Sequence, residues 1–286
     1  MPALQKIPIA PELTFDVLAA GDDGAPLVLL LHGFAESMHC WRAQMITLAD
    51  MGYRALAPSQ RGYSATARPD PRDPSRYHID RLMDDAMAIV AASGYGGKRF
   101  HLAGHDWGGS IAWALADRYP QRIASLTILS RPHPNAFNRA LLLEDGEQAR
   151  RSRHHKAFLE PGAEDVLLAE GCKWLRDRWR AAGVPQAAID AHLAVLGNRQ
   201  AMEAALAWYR ARGAIRGPLG PIRVPTLYIW GDADDTVGRP AAEGTRDFVT
   251  APYRFVALPG VGHFAADQVP DRVSELMLEH LRSYPV

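Results

Sequence analysis

Gly104-His105-Asp106-Trp107-Gly108, at residues 104–108, decides how this chain folds. It follows an apolar, strand-like run at 99–103 and opens a helical stretch that reaches Tyr119. Glycine, any residue, nucleophile, any residue, glycine between a strand and a helix is the pattern that lifts a reactive side chain out of a sheet. The turn is so sharp that side chains at the flanking positions would collide with it, which is why glycines stand there. The raised residue here is an aspartate. Alone, Asp106 would read as an ordinary helix N-cap, but three further elements stand around it in order.

Outward from the turn, strand-like and helix-like stretches alternate. Residues 27–31 (LVLLL) form a continuous apolar run, as expected for a strand buried on both faces. Helical spacing at 40–51, a short strand at 54–57, a helix at 79–92 and a strand at 123–129 complete the first part. This rhythm predicts an α/β fold, a mostly parallel sheet with helices on both faces. It breaks at residue 131. From 131 to 221 the chain is charged and rich in Ala and Leu, with a helix predicted at 200–212 and Gly217-Pro218-Leu219-Gly220-Pro221 as its stop. Strand, helix, strand and helix then return at 226–230, 239–249, 253–258 and 271–284. The expected organisation is a core domain of residues 1–130 and 222–286, interrupted by an inserted helical cap of residues 131–221.

The other three elements also sit where strands are expected to end. Asp234 lies in Trp230-Gly231-Asp232-Ala233-Asp234, and His263 in Gly260-Val261-Gly262-His263-Phe264. Asp232 and Asp235 compete for the acid's place; Asp234 is favoured by its position three residues after Gly231. Nucleophile, acid and histidine thus run in the order of a hydrolase triad. The last element, His32-Gly33-Phe34, follows the LVLLL strand. In enzymes built this way two backbone N–H groups hold an oxyanion, one just past that glycine and one just past the nucleophile. Those residues are Phe34 and Trp107. His32 is expected beside the substrate pocket.

Bulk properties exclude other classes. Acidic and basic residues balance at 32 each, which gives no electrostatic case for nucleic acid or an anionic membrane as partner. The longest apolar run is far too short to span a bilayer. The first 13 residues lack the basic start and apolar run of a signal peptide. Cys40 and Cys172 lack metal-ligand spacing and make no disulfide framework, so a cytoplasmic monomer or homodimer without metal is expected.

With these residues in view, the chain resembles the α/β-hydrolase-fold epoxide hydrolases that use an aspartate nucleophile. The matching stretches are HGFAES (32–37), PSQRGYSAT (58–66), GHDWGG (104–109), WYRA (208–211), WGDAD (230–234) and GVGHF (260–264). The resemblance implies the α/β-hydrolase fold with a cap, no cofactor, and hydrolysis of a small-molecule epoxide to a vicinal diol. It also implies two cap tyrosines that hydrogen-bond the epoxide oxygen. Only Tyr209 is present between residues 131 and 221. Matching Glu160-Pro161-Gly162 to the family puts His154 at the other position, with His155 as its competitor; a His–Tyr pair occurs in a subset of the family. A second departure is Ala35, where proline often follows the HGF motif.

The expected chemistry has two steps. Asp106 opens the strained ring while Tyr209 and His154 hold the departing oxygen. His263, oriented by Asp234, then activates a water against the resulting ester. A haloalkane or haloacid dehalogenase is the alternative, because the same carboxylate can displace halide. However, no arginine occupies 107–110, where haloacid enzymes grip a carboxylate. A serine esterase fits less well, since Ser110 lies within the helix, and a binding module would not need Asp106, Asp234 and His263 together.

Overall fold

The computed structural model describes residues 1–144, 146–211 and 219–286. Eight strands form one sheet: β1 (Ala3–Ala10), β2 (Leu13–Ala20), β3 (Leu27–Leu31), β4 (Arg54–Pro58), β5 (Phe100–His105), β6 (Ile123–Leu129), β7 (Thr226–Gly231) and β8 (Tyr253–Leu258). Their order is β1-β2-β4-β3-β5-β6-β7-β8. The β1–β2 and β2–β4 pairs are antiparallel, and every other pair is parallel. Every residue of β3, β4, β5, β6 and β7 is buried, as in a parallel sheet covered on both faces.

The strands from β3 onward match the sequence reading, whereas the first hairpin does not follow from it. β1 is an edge strand with most of its residues exposed, so it lacks the apolar alternation that betrays a half-buried strand. Prolines at 2, 8 and 11 disguise it further.

Helices α1 (Arg42–Asp50), α2 (Ile79–Val90) and α3 (Trp107–Arg118) link the early parallel strands. The chain runs from β3 outward to β4 and then crosses back to β5 on the other side of β3. The ends of β3 and β5 therefore form a switch point, the usual place for a ligand in an open α/β sheet. Between β6 and β7 lie α4 (Pro134–Leu141), α5 (Glu147–Arg151), α6 (His154–Ala157), α7 (Ala163–Ala181), α8 (Gln186–Leu196) and α9 (Arg199–Arg210). Helix α7 is interrupted at Ala169–Cys172, where Ala169 is extended and Glu170, Gly171 and Cys172 are left-handed. Arg212 and the Gly217-Pro218 part of the expected helix stop lie outside the described residues. The C-terminal part adds α10 (Arg239–Gly244), α11 (Ala265–Gln268) and α12 (Pro270–Ser283).

The inserted helices are held over the strand ends by specific contacts. The indole of Trp208 donates to the Arg61 carbonyl oxygen at 2.9 Å. Arg61 itself is fixed by a buried bidentate pair with Asp85, both bonds 2.7 Å. Tyr63 bridges the two layers, its ring 5.3 Å from Trp208 and 4.5 Å from His32. Among the described residues no helix is long and apolar enough to cross a membrane.

Candidate active site

Asp106 occupies the β5–α3 turn with φ 48° and ψ −115°. A non-glycine residue is held in such a conformation at a cost of about 1–3 kcal/mol. The glycines around it are sterically required. A Cβ on Gly104 would lie 2.4 Å from the Gly108 carbonyl oxygen, and one on Gly108 would lie 2.1 Å from that of Leu31. A Cβ on Gly33 would meet the Asp106 Cβ at 2.4 Å. This close approach lets Phe34 N–H donate to Asp106 Oδ1 at 3.0 Å. Trp107 N–H adds a second backbone hydrogen bond to the carboxylate. The Phe34–Ala35 peptide bond is cis, and with Ala35 in place the loop still delivers its N–H to the nucleophile.

Burial pushes the Asp106 carboxyl up, but His263, His105, Arg131 and the Trp107 N–H outweigh it, and the net shift is downward. The aspartate is thus kept ionised. With Oδ1 held by Phe34, Oδ2 is the oxygen that faces His263, whose Nε2 is 3.9 Å away.

His263 stands just beyond β8 with its Nδ1 3.2 Å from both carboxylate oxygens of Asp234. Asp234 is fully buried, and it accepts further bonds from Ser130 Oγ, Thr236 Oγ1, Thr236 N and Val237 N. Burial alone would raise its pKa; His263, Ser130 and Thr236 bring it well below the usual carboxylate range. Asp232 and Asp235 are used elsewhere. Asp232 accepts from Gly260 N at 2.7 Å, and Asp235 pairs with Arg178.

Tyr209 projects from α9 over the two expected oxyanion residues, its ring 5.5 Å from Phe34 and 5.2 Å from Trp107. Phe158 closes the same wall at 5.1 Å from Tyr209. His154 and His155 enter side by side on α6, with ring centroids 4.3 Å apart. His155 lies 5.7 Å from Tyr209. His154 Nδ1 donates to the Arg151 carbonyl oxygen at 3.0 Å, because a carbonyl can only accept. Burial, helped by the nearby charge of Arg178, lowers the His154 pKa to about 4, while Asp106 pulls the other way.

His32 is fully buried beneath the loop. Its Nε2 accepts from Gln60 N at 3.2 Å, and Nδ1 lies 3.1 Å from the Gly33 carbonyl oxygen. Both ring nitrogens are thus engaged with protein, which makes His32 a prop for the loop and leaves neither to face a substrate.

Some neighbours of the site carried no readable signal. Ser130 reaches both Asp234 and His263 Nδ1 from a left-handed residue (φ 56°), a conformation that no local sequence pattern announces. Glu36 and His105, present in two of the motifs, form a fully buried ion pair at 2.7 Å, and His105 Nε2 donates to the His263 carbonyl oxygen at 2.9 Å. Glu36, His192 and Asp267 bring ligand atoms within 4.8 Å of one another, the spacing a metal ion needs. They already hold partners: Glu36 has His105, and His192 has Ser37 and Asp267.

Residues 26–154 match the family described as alpha/beta hydrolase fold. The chain is 30% identical over 278 residues to the AB hydrolase superfamily protein YfhM of Bacillus subtilis, covering 95% of each chain. It is 31% identical over 311 residues to epoxide hydrolase A of Mycobacterium tuberculosis, covering 93% of each. A solved structure described among novel epoxide hydrolases from metagenomes of hot environments superposes with a TM-score of 0.85. That pair shares 28% identity over 98% of this chain and 99% of the other. With relatives at this identity along nearly its whole length, the chain belongs to the epoxide hydrolases of the α/β-hydrolase fold.

Proposed function

We propose that this enzyme hydrolyses small epoxides to vicinal diols through a covalent ester on Asp106. The observation that carries the reading is the division of the Asp106 carboxylate: Oδ1 is bonded to the Phe34 N–H, and Oδ2 faces His263. Oδ2 attacks a ring carbon from behind. The ring C–O bond breaks, and its oxygen takes a proton from the Tyr209 and His154 side. Serine would not serve here, because its alkyl product is an ether with no carbonyl for water to attack.

In the second step His263 removes a proton from water, and the hydroxide adds to the ester carbonyl carbon. Oδ1, already bonded to the Phe34 N–H, becomes the oxyanion, with the Trp107 N–H as the second donor to the same group; one such donor is worth about 10²–10³ in rate. Collapse expels the diol oxygen, which takes the proton from His263. The proton left on Asp106 returns to the cap donor, and the sum is epoxide plus water to diol.

Residues 131–221 serve in this reading as a cap that supplies the oxygen donors, and residues 1–130 and 222–286 as the core that supplies the triad. No cofactor enters any step. Both cysteines are free and buried, which suits a reducing cytoplasm, and the active unit is a monomer or homodimer. The similarity to epoxide hydrolases favours an epoxide over a halide substrate. A panel of small epoxides and haloalkanes, assayed in parallel for diol and halide, tests this. Diol from styrene oxide is expected; halide release without diol would overturn the reading.

A further inference from the structure

We propose that Arg131 is a specificity-determining anion subsite, which directs the enzyme toward epoxides bearing a carboxylate close to the ring. This rests on the epoxide reading and names the substrate class within it. Arg131 directly follows Ser130 at the end of β6. Its backbone is pinned by the indole of Trp113, which donates to the Arg131 carbonyl oxygen at 2.9 Å. Gly109 makes room for it beside the start of α3, since a Cβ on Gly109 would lie 2.7 Å from the Arg131 Cβ.

The guanidinium lies over the Phe137 ring at 4.6 Å. Phe137 is 6.2 Å from His155, which in turn is 5.7 Å from Tyr209. Arg131 therefore covers the ring that packs on His155, and it sits beside Gly109, three residues past Asp106.

The other arginines packed around this region are neutralised. Arg61 has Asp85, Arg151 has Glu147, and Arg178 has Asp235. Among the described residues Arg131 has no such carboxylate, and its Nε is buried without a hydrogen-bond partner. Arg131 is half-buried, so its charge lacks both a carboxylate partner and full hydration, and the charges nearest to it are those of Asp106 and then of Tyr209 and Tyr228. Alkylation turns Asp106 into a neutral ester and removes even that distant compensation. A carboxylate on the substrate replaces the lost charge in the intermediate and matches the planar fork of Arg131.

The test uses 3-phenyloxirane-2-carboxylate and its uncharged amide, compared as a ratio of kcat/KM. The wild-type ratio should favour the carboxylate by at least about tenfold. Arg131→Met should cut the ratio by about 10- to 100-fold, mainly through KM, as for the loss of one charge-assisted hydrogen bond. Arg131→Lys should restore part of it. A wild-type ratio at or below one, or a ratio that Arg131→Met leaves unchanged, overturns the proposal. Calorimetry on the unaltered protein adds a readout that needs neither turnover nor a folded variant: phenylacetate should bind about tenfold or more tighter than phenylacetamide, and equal binding overturns the subsite. If no epoxide is converted, styrene oxide included, the epoxide reading fails separately from the anion subsite.

Discussion

Nε2 of His263 lies 3.9 Å from Oδ2 of Asp106, beyond hydrogen-bond range. In a serine enzyme the histidine must touch its nucleophile to activate it. In the mechanism proposed above the ionised aspartate needs no activation, and the histidine serves only the second step. In that mechanism the gap leaves room for the attacking water to approach the Asp106 carboxyl carbon.

Removing the imidazole should therefore separate the two half-reactions. His263→Gln should still open an epoxide but should not release diol. Intact-protein mass spectrometry should show a gain of one epoxide mass, and steady-state turnover should fall by roughly 10³-fold or more. In a single turnover of the unaltered enzyme in heavy-oxygen water, the diol should first carry the unlabelled oxygen of Asp106. Label in the first-formed diol would remove the covalent ester from the mechanism.

The acid partner is the next point of discrimination. Asp234 accepts the His263 Nδ1–H from within a cage of Ser130, Thr236 and Val237, whereas Asp232 caps a turn and Asp235 answers Arg178. Asp234→Asn should lower kcat by about 10²–10⁴-fold through loss of the imidazole's orientation and charge partner. Asp232→Asn and Asp235→Asn should stay within about threefold of the unaltered enzyme, since exposed single contacts contribute little. A loss at Asp235 as large as that at Asp234 would move the assignment.

Much of the core was legible because its signals are local. Unbroken apolar runs gave β3 through β7, and glycine-bounded turns located Asp106, Asp234 and His263 at the ends of their strands. The hairpin of β1 and β2 was not, because an exposed edge strand satisfies no periodic pattern. Nor could Ser130, Arg131 or the Glu36–His105 pair be placed, since each depends on where distant segments meet. His32 shows the opposite failure: its motif suggested a pocket residue, while tertiary packing engages both ring nitrogens with the loop it supports.

The β5–α3 turn also predicts where the fold tolerates change. Gly108→Ala would drive a Cβ to 2.1 Å from the Leu31 carbonyl oxygen, at the junction of α3 with β3, where neither backbone can yield. That variant should fail to accumulate as folded protein. At Gly97 the φ is ordinary, and a Cβ would meet nothing within 4 Å. Gly97→Ala should be neutral or stabilising by about 0.4–1 kcal/mol, by restricting the unfolded chain. Thermal unfolding of the pair checks the contrast, and a normally folded Gly108→Ala protein would contradict the packing of the turn.

The His154 ring makes a prediction about pH. Its Nδ1–H is committed to the Arg151 carbonyl, so in the neutral form Nε2 is a lone pair and cannot donate to an epoxide oxygen. Donation requires the imidazolium, which burial and Arg178 hold back until about pH 4. Asp106 stays ionised across this range, because its own pKa is shifted downward. The part of the alkylation rate carried by His154 should thus rise as pH falls from 7 toward 5, by about tenfold per unit while the protonated form is scarce. Rapid-quench alkylation of the His263→Gln protein isolates this step from ester hydrolysis. Adding His154→Gln, whose amide donates at any pH, should flatten the profile. Identical profiles with and without His154 would assign the oxygen to Tyr209 and His155 instead.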